Sequence, residues 1–138
     1  MKLGLGANIK SSIHHDNYSL LFNGSTQYVN ADTAAGDIDT DKGAYSVWIK
    51  FNGTSSNNDT FIMASVDSNN KIGMLYLTST EVFRFLYKAG GTSKTIEIAT
   101  TAEATQNWVH LAMTWDTSAD ELKAYVNGSQ VGSTVGSL

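Results

Sequence analysis

The densest group of hard oxygen ligands in the chain is Asp37-x-Asp39-x-Asp41, three carboxylates at alternate positions. A calcium loop uses this spacing to turn several oxygens towards one ion. The rest of that pattern is lacking, because Gly43 stands one place late for the sharp turn and Trp48 occupies the place of the closing bidentate Glu. Asp37, Asp39 and Asp41 are therefore calcium candidates, set against the simpler expectation of a solvated acidic loop. His14-His15-Asp16 also gathers ligand types, but successive side chains of an extended chain point opposite ways and grip one ion poorly. The absence of cysteine removes disulfides and thiolate metal sites together.

Acid–base chemistry has less to work with. None of Glu81, Glu97, Glu103 and Glu121 has a carboxylate two places away, so no strand carries one of them beside a second acid on the same face. A Gly-x-Ser-x-Gly elbow, a Gly-x-x-x-x-Gly-Lys loop and a His-Glu-x-x-His helix are all missing. The expectation is a protein that is not an enzyme. His110 lies inside an apolar alternation, where a packed, hydrogen-bonded histidine is the simpler reading than a catalytic one. Trp48, Trp108 and Trp115 are able to stack on sugar rings if exposed, but their place in strong strands predicts core. Asn-x-Ser/Thr sequons occur at Asn17, Asn23, Asn52, Asn58 and Asn127, and those at Asn23, Asn52 and Asn127 are Asn-Gly turns.

The elements that must position these residues are strands. In Asn107 to Gln130, Val109, Leu111, Met113 and Trp115 fall on one side of an extended chain, and Trp108, His110, Ala112 and Thr114 on the other. Both sides carry bulk, which predicts a strand covered on both faces. After a polar turn at Thr117 to Asp120, the alternation resumes with Leu122, Ala124 and Val126, turning Lys123 and Tyr125 outwards, and Asn127-Gly128 reverses the chain again. Upstream, Tyr18 to Val29 reads as a hairpin about Asn23-Gly24, and 44–51 as a core strand with Tyr45, Val47, Ile49 and Phe51 on one face. Strands follow at 61–66, 72–77, 82–87 and 94–99, and Val131 and Val135 allow one more near the end. Asn30 to Gly43 and Asn52 to Thr60 read as loops, and Ala99 to Thr105 as one helical turn at most. About ten short strands at intervals of roughly 8–12 residues predict an all-β antiparallel two-sheet sandwich. Val47, Ile49, Val109, Leu111 and Met113 are its expected core.

With 138 residues, 41% hydrophobic and 16% charged, the chain suits one domain with a sizeable core. A formal charge of −4 supplies no basic stripe for phosphates, so nucleic acid is not an expected partner. No apolar run reaches the roughly 18 residues of a membrane helix, and Met1 to Lys10 makes a poor secretory signal. Residues 1–17 lack periodicity and read as an arm before a sandwich spanning 18–138.

The order Trp108-x-His110-x-Ala112-x-Thr114-Trp115-Asp116, a polar turn, then Leu122-Lys123-x-Tyr125-Val126-Asn127-Gly128 resembles the laminin-G-like or pentraxin-like branch of the concanavalin A-like lectin/glucanase superfamily. Tyr18 to Val29 looks like the opening hairpin of such domains, and Tyr45 to Lys50 like their next core strand. The resemblance implies a concanavalin A-like jelly roll, incomplete at the C-terminal end; the sheet edge this leaves is expected to be closed by another chain, a symmetric copy or a virion neighbour, with Met1 to Asn17 as the donated segment, and the alternative is that these 138 residues are part of a longer protein. Superfamily members that cut β-glucans carry two Glu and an Asp on one strand, a pattern this chain lacks. The leader Met1-Lys2-Leu3-Gly4-Leu5-Gly6 resembles the openings of bacteriophage structural proteins. That resemblance implies a non-enzymatic decoration, fibre or adhesion protein of a virion, partnered by virion neighbours or by copies of itself. A carbohydrate-binding module that takes surface glycans is the alternative.

Overall fold

The alternations become strands in the computed structural model, which describes residues 19–35, 37–50, 58–100 and 107–138. Among these, eight strands form: β1 (Lys42–Lys50), β2 (Asp59–Ser65), β3 (Lys71–Leu77), β4 (Val82–Ala89), β5 (Thr92–Ala99), β6 (Trp108–Asp116), β7 (Glu121–Val126) and β8 (Ser129–Val135). They make two antiparallel four-stranded sheets, ordered β1-β6-β7-β8 and β2-β3-β4-β5. The chain leaves the first sheet after β1, runs the second as a four-strand meander, and returns so that β6 lies beside β1. The expected all-β sandwich is what the chain forms.

Between the sheets, Phe85, Leu111, Met113, Leu122 and Met74 are fully buried, joined by Tyr45, Val109 and Trp115 from the first sheet and by Ile72, Tyr76, Phe83, Tyr87 and Ile96 from the second. Full burial of each such side chain stabilises the fold by about 1.5–3 kcal/mol. Rings meet edge to face, Tyr45 on Trp115 at 5.1 Å and Phe61 on Phe83 at 5.9 Å, an arrangement that aromatic quadrupoles favour. Val109, Leu111 and Met113 are buried as expected. Val47 and Ile49 face the same core but are only partly buried, because β1 is the outer strand of its sheet.

Short polar side chains set the reversals. Asp67 Oδ1 accepts the N–H groups of Asn69 and Asn70 at 2.6 and 2.9 Å, and Asp116 Oδ1 accepts those of Ser118 and Ala119, both at 2.9 Å. Asn127 and Gly128 both adopt positive φ, 50° and 81°, giving the primed turn whose twist suits a two-residue hairpin between β7 and β8. On the β5/β8 side the sheets approach closely: a Cβ on Gly132 would lie 2.7 Å from Ile96 Cγ2.

Three expectations are corrected. The hairpin read over Tyr18 to Val29 does not form within the described residues: 19–30 contain no strand, and Asn23 Oδ1 instead ties a local bend by accepting from the N–H groups of Ser25, Thr26 and Gln27. The local turn forms as its chemistry predicts, but among the described residues the flanking runs have no sheet partner. The loop from Asn30 to Gly43 contains one helical turn, Asp32–Ala35. Finally, the described residues cover β6 on one face only, and the tryptophans on its other side and on β1 are exposed. Residues 1–17, with the arm, the leader and His14-His15-Asp16, lie outside the described residues, as do Tyr18, Phe51, most of the Asn52 to Thr60 loop, and 101–106.

Candidate functional site

Strand parity builds a surface on the outside of the first sheet. Because Tyr45, Val47 and Ile49 of β1 turn inwards, Ser46, Trp48 and Lys50 must turn outwards, and on β6 the burial of Val109 and Leu111 sends Trp108, His110 and Ala112 the same way. Register then decides the neighbours: Trp48 stands opposite His110, Lys50 opposite Trp108, and Ser46 opposite Ala112. On the next strands Tyr125 lies opposite Ala112 and Gln130 opposite Tyr125, so Ser46, Ala112, Tyr125 and Gln130 make one row across all four strands.

Trp48 is 61% exposed and Trp108 48%, whereas Trp115, two residues on from Met113 on the inner face, is 2% exposed. The Trp48 and His110 rings lie 5.1 Å apart at 43°. His110 Nε2 and Ser46 Oγ share a hydrogen bond of 2.7 Å, which fixes the imidazole plane beside the indole. Below it, the Asn127 side chain accepts from the His110 N–H at 3.0 Å and the Asn127 N–H donates to the His110 carbonyl at 2.8 Å. The β7–β8 turn thus clamps the backbone that carries the imidazole. His110 is the hydrogen-bonded residue expected, on the face opposite Val109 and Leu111. Ala112 carries only a methyl, leaving the floor low between Trp48 and His110 on one side and Tyr125 on the other.

Charge on this face is mixed and largely engaged. Lys123 donates to Glu121 Oε2 on the same strand, and that carboxylate raises the ammonium pKa above its ordinary value. Asp116 is held below the usual carboxylate range, first by the Ser118 hydroxyl at 2.6 Å and then by the Ala119 N–H. The outer face of the second sheet carries the Arg84–Glu97 ion pair. These acids already serve turns and pairs.

The calcium candidates sit at one end of the sandwich. Asp39 Oδ1 accepts the N–H of Asp41 at 2.8 Å, and Asp37 and Asp41 are exposed. Among the described residues no three His, Cys, Asp or Glu side chains are grouped as a metal ion requires. The backbone of this loop has packing duties: Trp115 Nε1–H donates to the Asp39 carbonyl at 3.1 Å, and the Tyr87 hydroxyl to that of Thr40 at 3.3 Å.

Trp48 and Trp108, expected in the core, stand on the outer face. The signal was parity: each shares its strand face with polar neighbours, Ser46 and Lys50 for one, His110 and Thr114 for the other. The Ser46–His110 bond joins residues 64 apart and has no local signature.

A laminin-G-type family model, described as concanavalin A-like lectin/glucanases superfamily, matches residues 23–138. No curated protein and no solved structure matches. The match takes in every strand of both sheets and the face just described, and with the two antiparallel sheets it shows that the chain belongs to the concanavalin A-like lectin/glucanase superfamily.

Proposed function

We propose that this domain is a non-enzymatic binding module that takes a glycan on the outer face of the first sheet. The observation that carries this reading is the exposure of Trp48 and Trp108 on one side of adjacent strands, diagonal to each other across the β1–β6 pair. Two large indoles left in water on a rigid sheet are costly to solubility and mark an interaction surface. A pyranose ring has a flat C–H face for an indole and a rim of hydroxyls. Ser46, His110, Tyr125 and Gln130 line the same floor with donors and acceptors that suit such a rim.

Nucleic acid also stacks on aromatic rings, but a chain of net charge −4 lacks the cationic groove that follows a phosphate backbone. The non-enzymatic reading draws support from four of the acids, since Asp67 and Asp116 cap turns while Glu97 and Glu121 are in ion pairs. A place on a virus particle is suggested by the leader's resemblance together with the poor secretory signal and the missing catalytic motifs, and a glycan-binding face would serve an adhesion protein there as well as a cellular one.

The test is a glycan array probed with the purified chain, followed by calorimetric titration of the glycans retained. Trp48→Ala is expected to weaken binding about tenfold or more, the loss expected on truncating an aromatic anchor. An array on which the intact chain retains nothing, or binding that Trp48→Ala and Trp108→Ala leave unaltered, would contradict the proposal.

A further inference from the structure

Register divides the outer face of the first sheet electrically. Lys42, Asp116 and Glu121 stand side by side in one row across β1, β6 and β7, and Lys123, the next outward residue of β7, is bonded to Glu121. That end balances its own charges. At the other end, beside Trp48 and Trp108, the outward ionisable side chains among the described strand residues are Lys50 and His110. Lys50 is exposed and enters no ion pair among the described residues. Asp116, on the same strand as His110, is about 20 Å from it at the rise of an extended chain. Salt screens exposed charges over about 8 Å, so the two ends act separately.

His110 is set into this end from both sides. Asn127 holds its backbone through two hydrogen bonds, and Ser46 Oγ holds Nε2 at 2.7 Å, so the imidazole stays 5.1 Å from the Trp48 ring. Of the side chains that face it from β1, β7 and the β7–β8 turn, Lys50 is the charged one and Tyr125 the other titratable one; Ser46, Trp48 and Asn127 carry no charge. Imidazole is the side chain whose charge changes between about pH 5 and 8. With both ring nitrogens protonated, Nε2 has to donate, so Ser46 Oγ accepts and its own hydrogen is released towards a ligand. The cation so formed lies within the roughly 6 Å over which an indole attracts a positive charge.

Resting on the reading of this face as a glycan site, we propose that its ligand carries a carboxylate, as a uronic or sialic acid does, and that protonated His110 and Lys50 together receive it. The sugar ring stacks on an exposed indole while its carboxylate enters between the two cations. Lys50 is diagonal to His110 across the β1–β6 pair, about 7–8 Å away along the backbone, a gap that one carboxylate bridges between two side-chain tips. Two like charges so placed repel each other, and an anion between them removes that repulsion. Carboxylate binding and proton uptake by His110 therefore favour each other to the same extent, as linkage requires. The face holds an acidic glycan most tightly in mildly acidic surroundings and loosens its hold as pH rises. A neutral glycan lacks the group that couples to the proton.

An array that carries sialylated and uronate-bearing glycans beside the same glycans with the carboxyl reduced to an alcohol tests this, probed near both ends of the histidine range, at about pH 5.5 and about pH 8. The acidic forms are expected to bind about tenfold more tightly than the reduced ones at the lower pH, and by a smaller factor at the higher. Calorimetry of a retained acidic glycan in two buffers of unlike ionisation heat is expected to show proton uptake on binding, and His110→Gln to abolish that uptake. Lys50→Met is expected to shrink the preference at both pH values, and both variants to keep the far-UV circular dichroism of the wild type. Acidic and reduced glycans bound alike, a preference that does not change with pH, proton uptake that survives His110→Gln, or a preference untouched by Lys50→Met would each overturn the inference and leave the glycan site standing. An array on which the chain retains no glycan would overturn both.

Discussion

Trp48, Trp108 and Trp115 are chemically identical and differ only in the side of the sheet they occupy, so their substitutions should separate cleanly. Trp115→Ala removes a buried indole that meets Tyr45 and donates to the Asp39 carbonyl, and is expected to cost about 3–5 kcal/mol. Trp48→Ala and Trp108→Ala take atoms from half-exposed positions, with Trp48 touching His110, and are expected to cost about 1 kcal/mol or less, well below the loss at Trp115. Thermal unfolding of the three variants side by side checks the assignment of faces independently of any ligand. Asp116 supplies a pH-dependent counterpart. Hydrogen bonds from Ser118 and Ala119 lower its folded pKa, so the stability it contributes is present above the ordinary carboxylate value and is lost as pH falls through the lowered one. The Tm gap between the wild type and Asp116→Ala is therefore expected to be widest near neutral pH and to close on acidification. A gap that stays constant from neutral to strongly acidic pH would mean that the carboxylate does not cap the turn.

Alternation and turn chemistry in the sequence located the eight strands, from the stretch about Tyr45 to the one about Val131, to within a few residues, because side-chain period and reversal are local properties. What was not local was not legible. Ser19 to Val29 has the alternation and turn of a hairpin and forms none, since a strand is stable only where another backbone receives its hydrogen bonds. The faces of β1 and β6 were separated correctly by parity, yet their outer face was expected to be covered because it carries bulk. Aromatic bulk serves a binding surface as well as a core, and composition does not distinguish the two. At this scale Leu111→Ala, in the middle of the most enclosed strand, is expected to cost about 2–5 kcal/mol. Chemical denaturation measures this loss. Gly132→Ala meets a positive φ of 66° as well as Ile96 across the β5/β8 seam, and the left-handed backbone alone costs about 1–2 kcal/mol. A neutral Gly132→Ala would place the seam elsewhere.

At the scale of the molecule, the described residues make a two-sheet sandwich with one aromatic outer face, and its acidic loop is fastened to the core by carbonyls. If Asp37, Asp39 and Asp41 hold no ion, excess chelator leaves Tm unchanged; a ligand bound only by the folded state would lower it on removal by mass action. The family assignment fixes the architecture without fixing the ligand, since function resides in the site that a fold carries. That site is claimed to be the outer face of the first sheet, and tryptophan fluorescence quenching reports on it directly. A soluble quencher is expected to reach Trp48 and Trp108 and to spare Trp115, and saturation with a glycan retained on the array is expected to protect the first two. Bound glycan that leaves the accessibility of both tryptophans unchanged would contradict the account.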